Sequence, residues 1–389
     1  MSKNFDIIHG NPSQCLFAMV LPMMAAMFLN MAYNLVDSLW IGNLLGESAY
    51  AALTAATPIL LLLNSIAMGA TNGVAILLSQ AIGAGETRRT RTILFTSFIL
   101  SIVFSLGMTG LLEGMVSPLL RFLQVPSELY EMTCLYLRIY LIGYGAVYLY
   151  CYFAAVLRSF GDTVFQMLAM LVCTVLNGAL DPLLIHGFGL QGAAAATVLS
   201  QGICLGFMVC YLRKKALFSF HAADWSGKEL GTICLKSLPA AFQQSIPAIS
   251  TSVLTAIVSG FGVTALAAYG VAGKLELLLF YPAMSFQMVL TTIVGQCIGA
   301  GRRDRAWVYC KTALLWGGGL LIILSCGVVG LAHPLSELFV DSKAVAEVVA
   351  GYFQVVSVGY LFNMETVFWG QSMGWVIQDA ACFAWYCTT

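Results

Sequence analysis

Charge is what this chain has least of. Only 9% of its 389 residues are Asp, Glu, Lys or Arg, against about a quarter in ordinary soluble proteins. A water-soluble domain of this length is excluded. The 18 basic and 18 acidic residues cancel, so no net charge points to nucleic acid as a partner. Cys-x-x-Cys is absent, and the twelve cysteines are scattered singly. That argues against a zinc site or a disulfide framework and leaves the thiols as small packing residues. The four histidines, His9, His186, His221 and His333, stand apart in loops or termini with no acid expected to pair with them. No catalytic constellation follows from them. Residues 1–14 lack the basic start, short apolar core and small-residue cleavage site of a removable leader. The first helix is therefore expected to direct its own insertion.

Apolar residues make up 60% of the chain. Runs such as 92–112, 164–185 and 314–331 are long enough to cross roughly 30 Å of hydrocarbon. In lipid each backbone amide needs a partner within its own segment, so these runs are helices. Ten helical segments are expected, at 14–39, 49–79, 91–113, 129–156, 163–186, 190–212, 232–259, 263–295, 307–331 and 344–372. Kinks are expected at Pro22, Pro58, Pro239 and Pro282. One polar stretch of any length, 213–229, interrupts them. It divides the chain into a first unit of six helices (1–212), a linker (213–230) and a second unit (231–389).

The two units repeat each other. Gln80-Ala81-Ile82-Gly83-Ala84-Gly85 returns as Gln296-Cys297-Ile298-Gly299-Ala300-Gly301, at an offset of 216 (296 − 80). At the same offset Gly46, Ala49, Ala51 and Ala52 meet Gly262, Ala265, Ala267 and Ala268, and Ala67-Met68 meets Ala283-Met284. Six helices return the chain to its starting side, so both copies share one orientation. Duplication of a membrane unit is a mark of secondary transporters. The Gly-x-Gly pairs follow no strand and lack a third glycine, so they read as tight turns rather than a dinucleotide fingerprint.

Basic residues set the topology. One side holds 14 of the 18, among them Arg88, Arg89, Arg91, Arg158, Lys214, Lys215, Arg302, Arg303 and Arg305. The other side carries mostly acids, including Glu47, Glu113, Glu128 and Glu131. The basic side, with the N-terminus, is expected in the cytoplasm.

Charges inside a bilayer are costly and mark function. Asn30, Asn34 and Asp37 follow i, i+4, i+7 on the first helix and share one face. Asp181 lies at similar depth on the fifth, one turn beyond Asn177. If those helices are neighbours, Asp37, Asn34, Asn177 and Asp181 line one polar pocket, to which Thr197 adds a hydroxyl. Desolvation and mutual repulsion both disfavour the charged carboxylates, so such a pair can take a proton from outside and exchange it for cargo. Two other readings stand beside this one. The aspartates border interfacial loops, and Thr197 is packing. The second unit is polar elsewhere, at Gln243, Gln244, Lys274, Glu276 and Glu365. Lys274 and Glu276 read as an ion pair or as part of a second cluster. Abundant Met and Phe suit a cavity for varied apolar cargo, while any one of them taken singly reads as lipid-facing packing.

Several motifs in combination resemble one family. Tyr33-Asn34-Leu35-Val36-Asp37-Ser38-Leu39-Trp40-Ile41-Gly42 is similar to the first helix of the multidrug and toxic compound extrusion (MATE) transporters. So are Leu157-Arg158-Ser159-Phe160-Gly161-Asp162-Thr163, Asn177-Gly178-Ala179-Leu180-Asp181-Pro182 and Gly192-Ala193-Ala194-Ala195-Ala196-Thr197. The resemblance covers residues 10–374. It implies an all-α polytopic membrane protein with two six-helix lobes in a V around a central cavity, a plan of twelve helices of which about ten are expected here. It implies export of amphipathic or cationic drugs and toxic compounds across the bacterial inner membrane, driven by H+ or Na+, by a monomer with no cofactor and no metal. The proton-linked residues of its first lobe map to Asp37, Asn177, Asp181 and Thr197. Where one branch carries a glutamate on the seventh helix, this chain has Gln243 and Gln244, which favours H+ coupling through the first lobe.

Two other functions were weighed. A flippase for lipid-linked saccharide precursors needs several basic residues in the cavity, where Lys274 and Arg138 stand nearly alone. An intramembrane transferase needs a catalytic cluster that the sequence does not provide. The small-molecule cargo and surrounding lipid are the partners expected. At the repeat offset the second copy's counterpart of Leu212 falls beyond residue 389, and Trp375-Val376-Ile377-Gln378-Asp379 departs from both the repeat and the family. A shortened product that inserts but transports poorly is the expectation.

Overall fold

Each long apolar run folds as a helix, because helices alone satisfy the backbone within one segment in lipid. A computed structural model describes residues 6–123, 125–215, 225–259, 263–337, 347 and 349–353, and its elements among these are all α-helices. They are α1 (Pro12–Leu45), α2 (Glu47–Gly83), α3 (Thr87–Phe122), α4 (Ser127–Ile142), α5 (Tyr144–Ser159), α6 (Thr163–Phe188), α7 (Leu190–Lys214), α8 (Gly227–Ser259), α9 (Val263–Gly299) and α10 (Arg303–Glu337). Caps fix several ends. Asn11 accepts from Ser13 N at 3.1 Å with Pro12 in the first turn, and Asp162 accepts from Phe165 N at 3.2 Å. Gly85 and Gly301, equivalent in the repeat, both turn the chain with φ near +70°, as the tight-turn reading required.

Among the described residues seven helices are long and apolar enough to span a membrane, and the pair α4 and α5 makes an eighth span bent by 49°. The expected single helix at 129–156 is thus two. Gly143 marks the break, where a Cβ would collide with the Val198 side chain of α7. Helix α8, which carries Lys228, Glu229 and Lys236, does not meet that apolarity test. The expected kinks do not interrupt the helices: α1, α2, α8 and α9 run on through Pro22, Pro58, Pro239 and Pro282. The segment expected at 344–372 lies mostly outside the described residues, as do Glu365 and everything after Phe353. Its described part seats Val349 and Phe353 against Ala272, Leu275 and Leu279 of α9, much as Tyr136 and Tyr140 of α4 seat against α2.

The lobes meet through the repeat itself. A Cβ on Gly83 would strike the Gln296 carbonyl, and one on Gly299 would strike the Gln80 carbonyl. Both contacts follow from one pseudo-two-fold axis relating α2 to α9, so the duplicated Gln-x-Ile-Gly packs on its own copy. Gly69 and Gly73, in the close-approach spacing of membrane helices, face Ala240, Ala241 and Ser237 of α8 in the same way. The leading segment of each lobe also crosses to the other. Tyr309 of α10 donates to Ile7 O at 2.9 Å, and Arg305 donates to Gly10 O. Reciprocally, Ser226 N donates to Thr96 Oγ1 of α3 at 3.3 Å, and Arg89 pairs with Glu229 at 3.0 Å. These contacts lie toward the basic end. Met19, Met23 and Met27 of α1 are buried and join one core with Met284 and Met288 of α9.

Candidate functional site

A polar stripe runs the length of α6. Thr163, Gln166, Met170, Cys173, Asn177 and Asp181 recur every three or four residues and are all buried. Asp181 and Asn177 are 0% exposed, and Asn177 Nδ2 donates to Asp181 Oδ1 at 3.0 Å. Helix α1 packs along this face and brings Tyr33 and Asp37 to it. Asp37 lies close enough for its charge to act on Asp181, and the charges of both reach the buried Tyr136 of α4. Three oxygens in this pocket lack a protein partner: Asp37 Oδ1, Asn177 Oδ1 and Asp181 Oδ2. An orphaned buried oxygen costs about 1–3 kcal/mol. Leaving three together is a strong departure from ordinary core packing.

Beneath the carboxyls, Tyr33 OH and Ser200 Oγ of α7 lie 3.5 Å apart, and Ser200 Oγ donates to Thr197 O at 3.0 Å. Thr197 is buried on α7, its backbone carbonyl tied to the Ser200 that meets Tyr33. The structure therefore gathers Asp37, Asn177, Asp181 and Thr197. Asn34 is different. Its amide donates to Asn30 O at 2.8 Å and the side chain stays exposed.

In the second lobe, Gln243 and Gln244 are half-buried on α8, and Glu276 Oε1 accepts from Tyr352 OH at 2.6 Å. The Lys274 side chain lies outside the described residues. Arg138 is largely exposed and faces Glu113 at 3.9 Å. His9 corrects the reading of isolated histidines: its Nδ1 lies 3.0 Å from Asp6 Oδ2 in an exposed turn.

Two features escaped the sequence reading. Tyr136, Tyr140, Tyr144, Tyr148 and Tyr152 form a buried ladder every fourth residue along α4 and α5. Tyr140 donates to Asn64 Oδ1 at 3.3 Å, Tyr144 to Leu63 O at 3.0 Å and Tyr152 to Leu94 O at 2.8 Å. The spacing was there to be seen. Arg158 is the other. It is 4% exposed and donates to Asn72 Oδ1 at 3.4 Å, with its Nε lacking a partner. Nearby Asp162 caps α6 and holds the end of α7 through Tyr211 OH at 2.6 Å and Lys215 Nζ at 2.9 Å.

An all-helical membrane protein with two repeats about one axis, and a buried polar pocket inside a lobe, has the architecture of a duplicated-lobe transporter. The sequence profile of the MatE family matches residues 22–183 and 239–373. The chain belongs to that family, the multidrug and toxic compound extrusion transporters. Its relatives include a probable multidrug resistance protein, YpnP, of Bacillus subtilis (strain 168), 29% identical over 306 residues, which cover 78% of this chain and 69% of the relative. An FAD transporter of Shewanella oneidensis is 28% identical over 378 residues, covering 92% and 81%. Among solved structures, an outward-facing multidrug resistance MATE transporter superposes with a TM-score of 0.85 at 23% identity, covering 97% and 87%. A MOP superfamily transporter from Pyrococcus furiosus gives 0.84 at 23%, covering 97% and 86%.

Proposed function

We propose that this protein is a secondary antiporter that exports amphipathic, often cationic compounds across a bacterial inner membrane in exchange for H+. It works as a monomer without a cofactor, by alternating access of a cavity between the lobes, with its N-terminus in the cytoplasm. The observation that carries the reading is the pocket of Asp37, Asn177 and Asp181. Two carboxyls and an amide in an apolar lobe leave acceptor oxygens that only an added donor satisfies. A proton supplies that donor and removes the repulsion between the acids. Its loss restores the repulsion, which gives α1 a reason to move against α6. Multidrug resistance proteins among the relatives support the cargo class. A lipid-linked saccharide flippase gains no support from Arg138, which faces Glu113.

The test is transport by the full chain in proteoliposomes. An imposed inward H+ gradient should drive weak but measurable efflux of a cationic dye, above that of empty proteoliposomes. No efflux under H+, with efflux under Na+ alone, would replace the coupling ion. No efflux of any cationic compound under either gradient would remove the reading.

A further inference from the structure

Two turns from Asp181 on the polar face of α6, two thiols share one buried cluster. Cys173 of α6 and Cys204 of α7 are 1% and 0% exposed and pack there with Tyr33 and Met170. Cys173 Sγ also reaches Ser200 Oγ at 3.9 Å. Two thioethers share the cluster, Met170 and the half-buried Met167, and Tyr150 OH donates to Met170 Sδ at 3.2 Å. The other neighbours are apolar: Ala26, Leu29 and Leu176. Among the described residues no group of three His, Cys, Asp or Glu could hold a metal ion, so a hard cation or a tetrahedral zinc has no ligand set here. Thiols and thioethers suit a different class of ion.

We propose that Cys173 and Cys204, with Met170 beside them, form a binding site for a soft monovalent cation of the Ag+ and Cu+ type. Two sulfur donors are enough for such an ion, which accepts two-coordinate geometry. One S–H bond breaks and its proton leaves to solvent. Two metal–sulfur bonds form, one to the resulting thiolate and one to the intact thiol. No electron is transferred, and the site gains no net charge, which an apolar lobe tolerates. The entry path is the carboxylate pocket. Asp37 is partly exposed, Tyr33 follows one turn inward, and Tyr33 touches the Ser200 that touches Cys173.

The experiment is Ag+ titration of the purified full chain in detergent, read by calorimetry together with the protons released into a weakly buffered solution. Cys173→Ser and Cys204→Ser should each lose one equivalent of bound Ag+ and its proton, with melting temperature unchanged. Cys297→Ser, which removes a buried thiol from a different cluster, should lose none. Met170→Leu should weaken the same equivalent about tenfold, in the range of supporting groups at metal sites, and serves as the readout if a serine variant does not fold. Wild-type stoichiometry in both serine variants would overturn the proposal. So would an equal loss in Cys297→Ser, which would make silver binding a property of any buried thiol.

Discussion

The Asn177 amide donates a 3.0 Å hydrogen bond to Oδ1 of Asp181, one helical turn away, while Oδ2 of that carboxyl has no protein partner. One oxygen is fixed and the other is left for a donor. The fixed oxygen sets the carboxyl's orientation toward α1, so the geometry is held ready before any proton arrives.

Removal of either acid should therefore end coupling. Asp37→Asn and Asp181→Asn should each reduce gradient-driven dye efflux to the level of empty proteoliposomes, with insertion intact. Efflux at the wild-type level in either variant would show that its carboxyl has no part in coupling.

The ion should be H+ more than Na+. The helix that carries a glutamate in one family branch offers Gln243 and Gln244 here. With pH clamped on both sides, a sodium gradient alone should drive little efflux. Full activity under that condition would contradict the assignment.

Gly83 and Gly299 should respond alike. A side chain at either meets a backbone carbonyl of the other lobe, and overpacking of this kind costs about 1–3 kcal/mol. Gly83→Val and Gly299→Val should each loosen the contact, seen as faster thiol labelling of a cysteine placed at Ser79, which faces Gly295 across the contact. Gly187, with open space around it, is the control for Val as such. Unchanged labelling in both variants would mean that the duplicated motif does not hold the lobes together.

Asp162→Ala should destabilise the first lobe by about 1–2 kcal/mol, the cost of a lost N-cap. It also frees Tyr211 and Lys215 at the end of α7. Thermal unfolding measures the loss. No change would show that the α6 cap is dispensable.

The turn that holds Ile7 should be acid-sensitive. The backbone amide of His9 holds the Asp6 carboxyl below its ordinary value. A carboxyl lowered on folding contributes stability above its unfolded value, and loses it as pH falls through the folded one. Amide exchange at Ile8 and His9 should therefore speed up on acidification below the ordinary carboxylate range, and Asp6→Asn should remove that pH dependence. Identical exchange profiles in both proteins would refute the link.

Every expected segment that falls within the described residues is helical, one of them as the bent pair α4 and α5, because in lipid an apolar run has no alternative to a helix. Asp37, Asn177 and Asp181 stood out for the same reason: polar side chains there are costly. Asn34 did not follow them, since sharing a helical face says nothing of what that face meets. The need for a glycine at the break was hidden because the side chain that crowds Gly143, Val198, lies 55 positions away (198 − 143). The prolines announced kinks that did not interrupt their helices. The duplicated Gln-x-Ile-Gly was read as a turn with arginines behind it. Its second role, as a surface packed on its own copy, depends on the pairing of α2 with α9 and is invisible in either copy alone.

The crossed leading segments carry a consequence for biosynthesis. The backbone carbonyl of Ile7 waits for a hydroxyl 302 residues further along the chain. During synthesis the first lobe is complete in sequence long before Tyr309 exists, so its opening segment stays untied at the membrane surface while α2 to α9 are still being made. Contacts of such long sequence separation form late. The order of manufacture thus leaves the segment ahead of the first helix as the last to be secured, even though α1 itself can already pack on α6 within the first lobe.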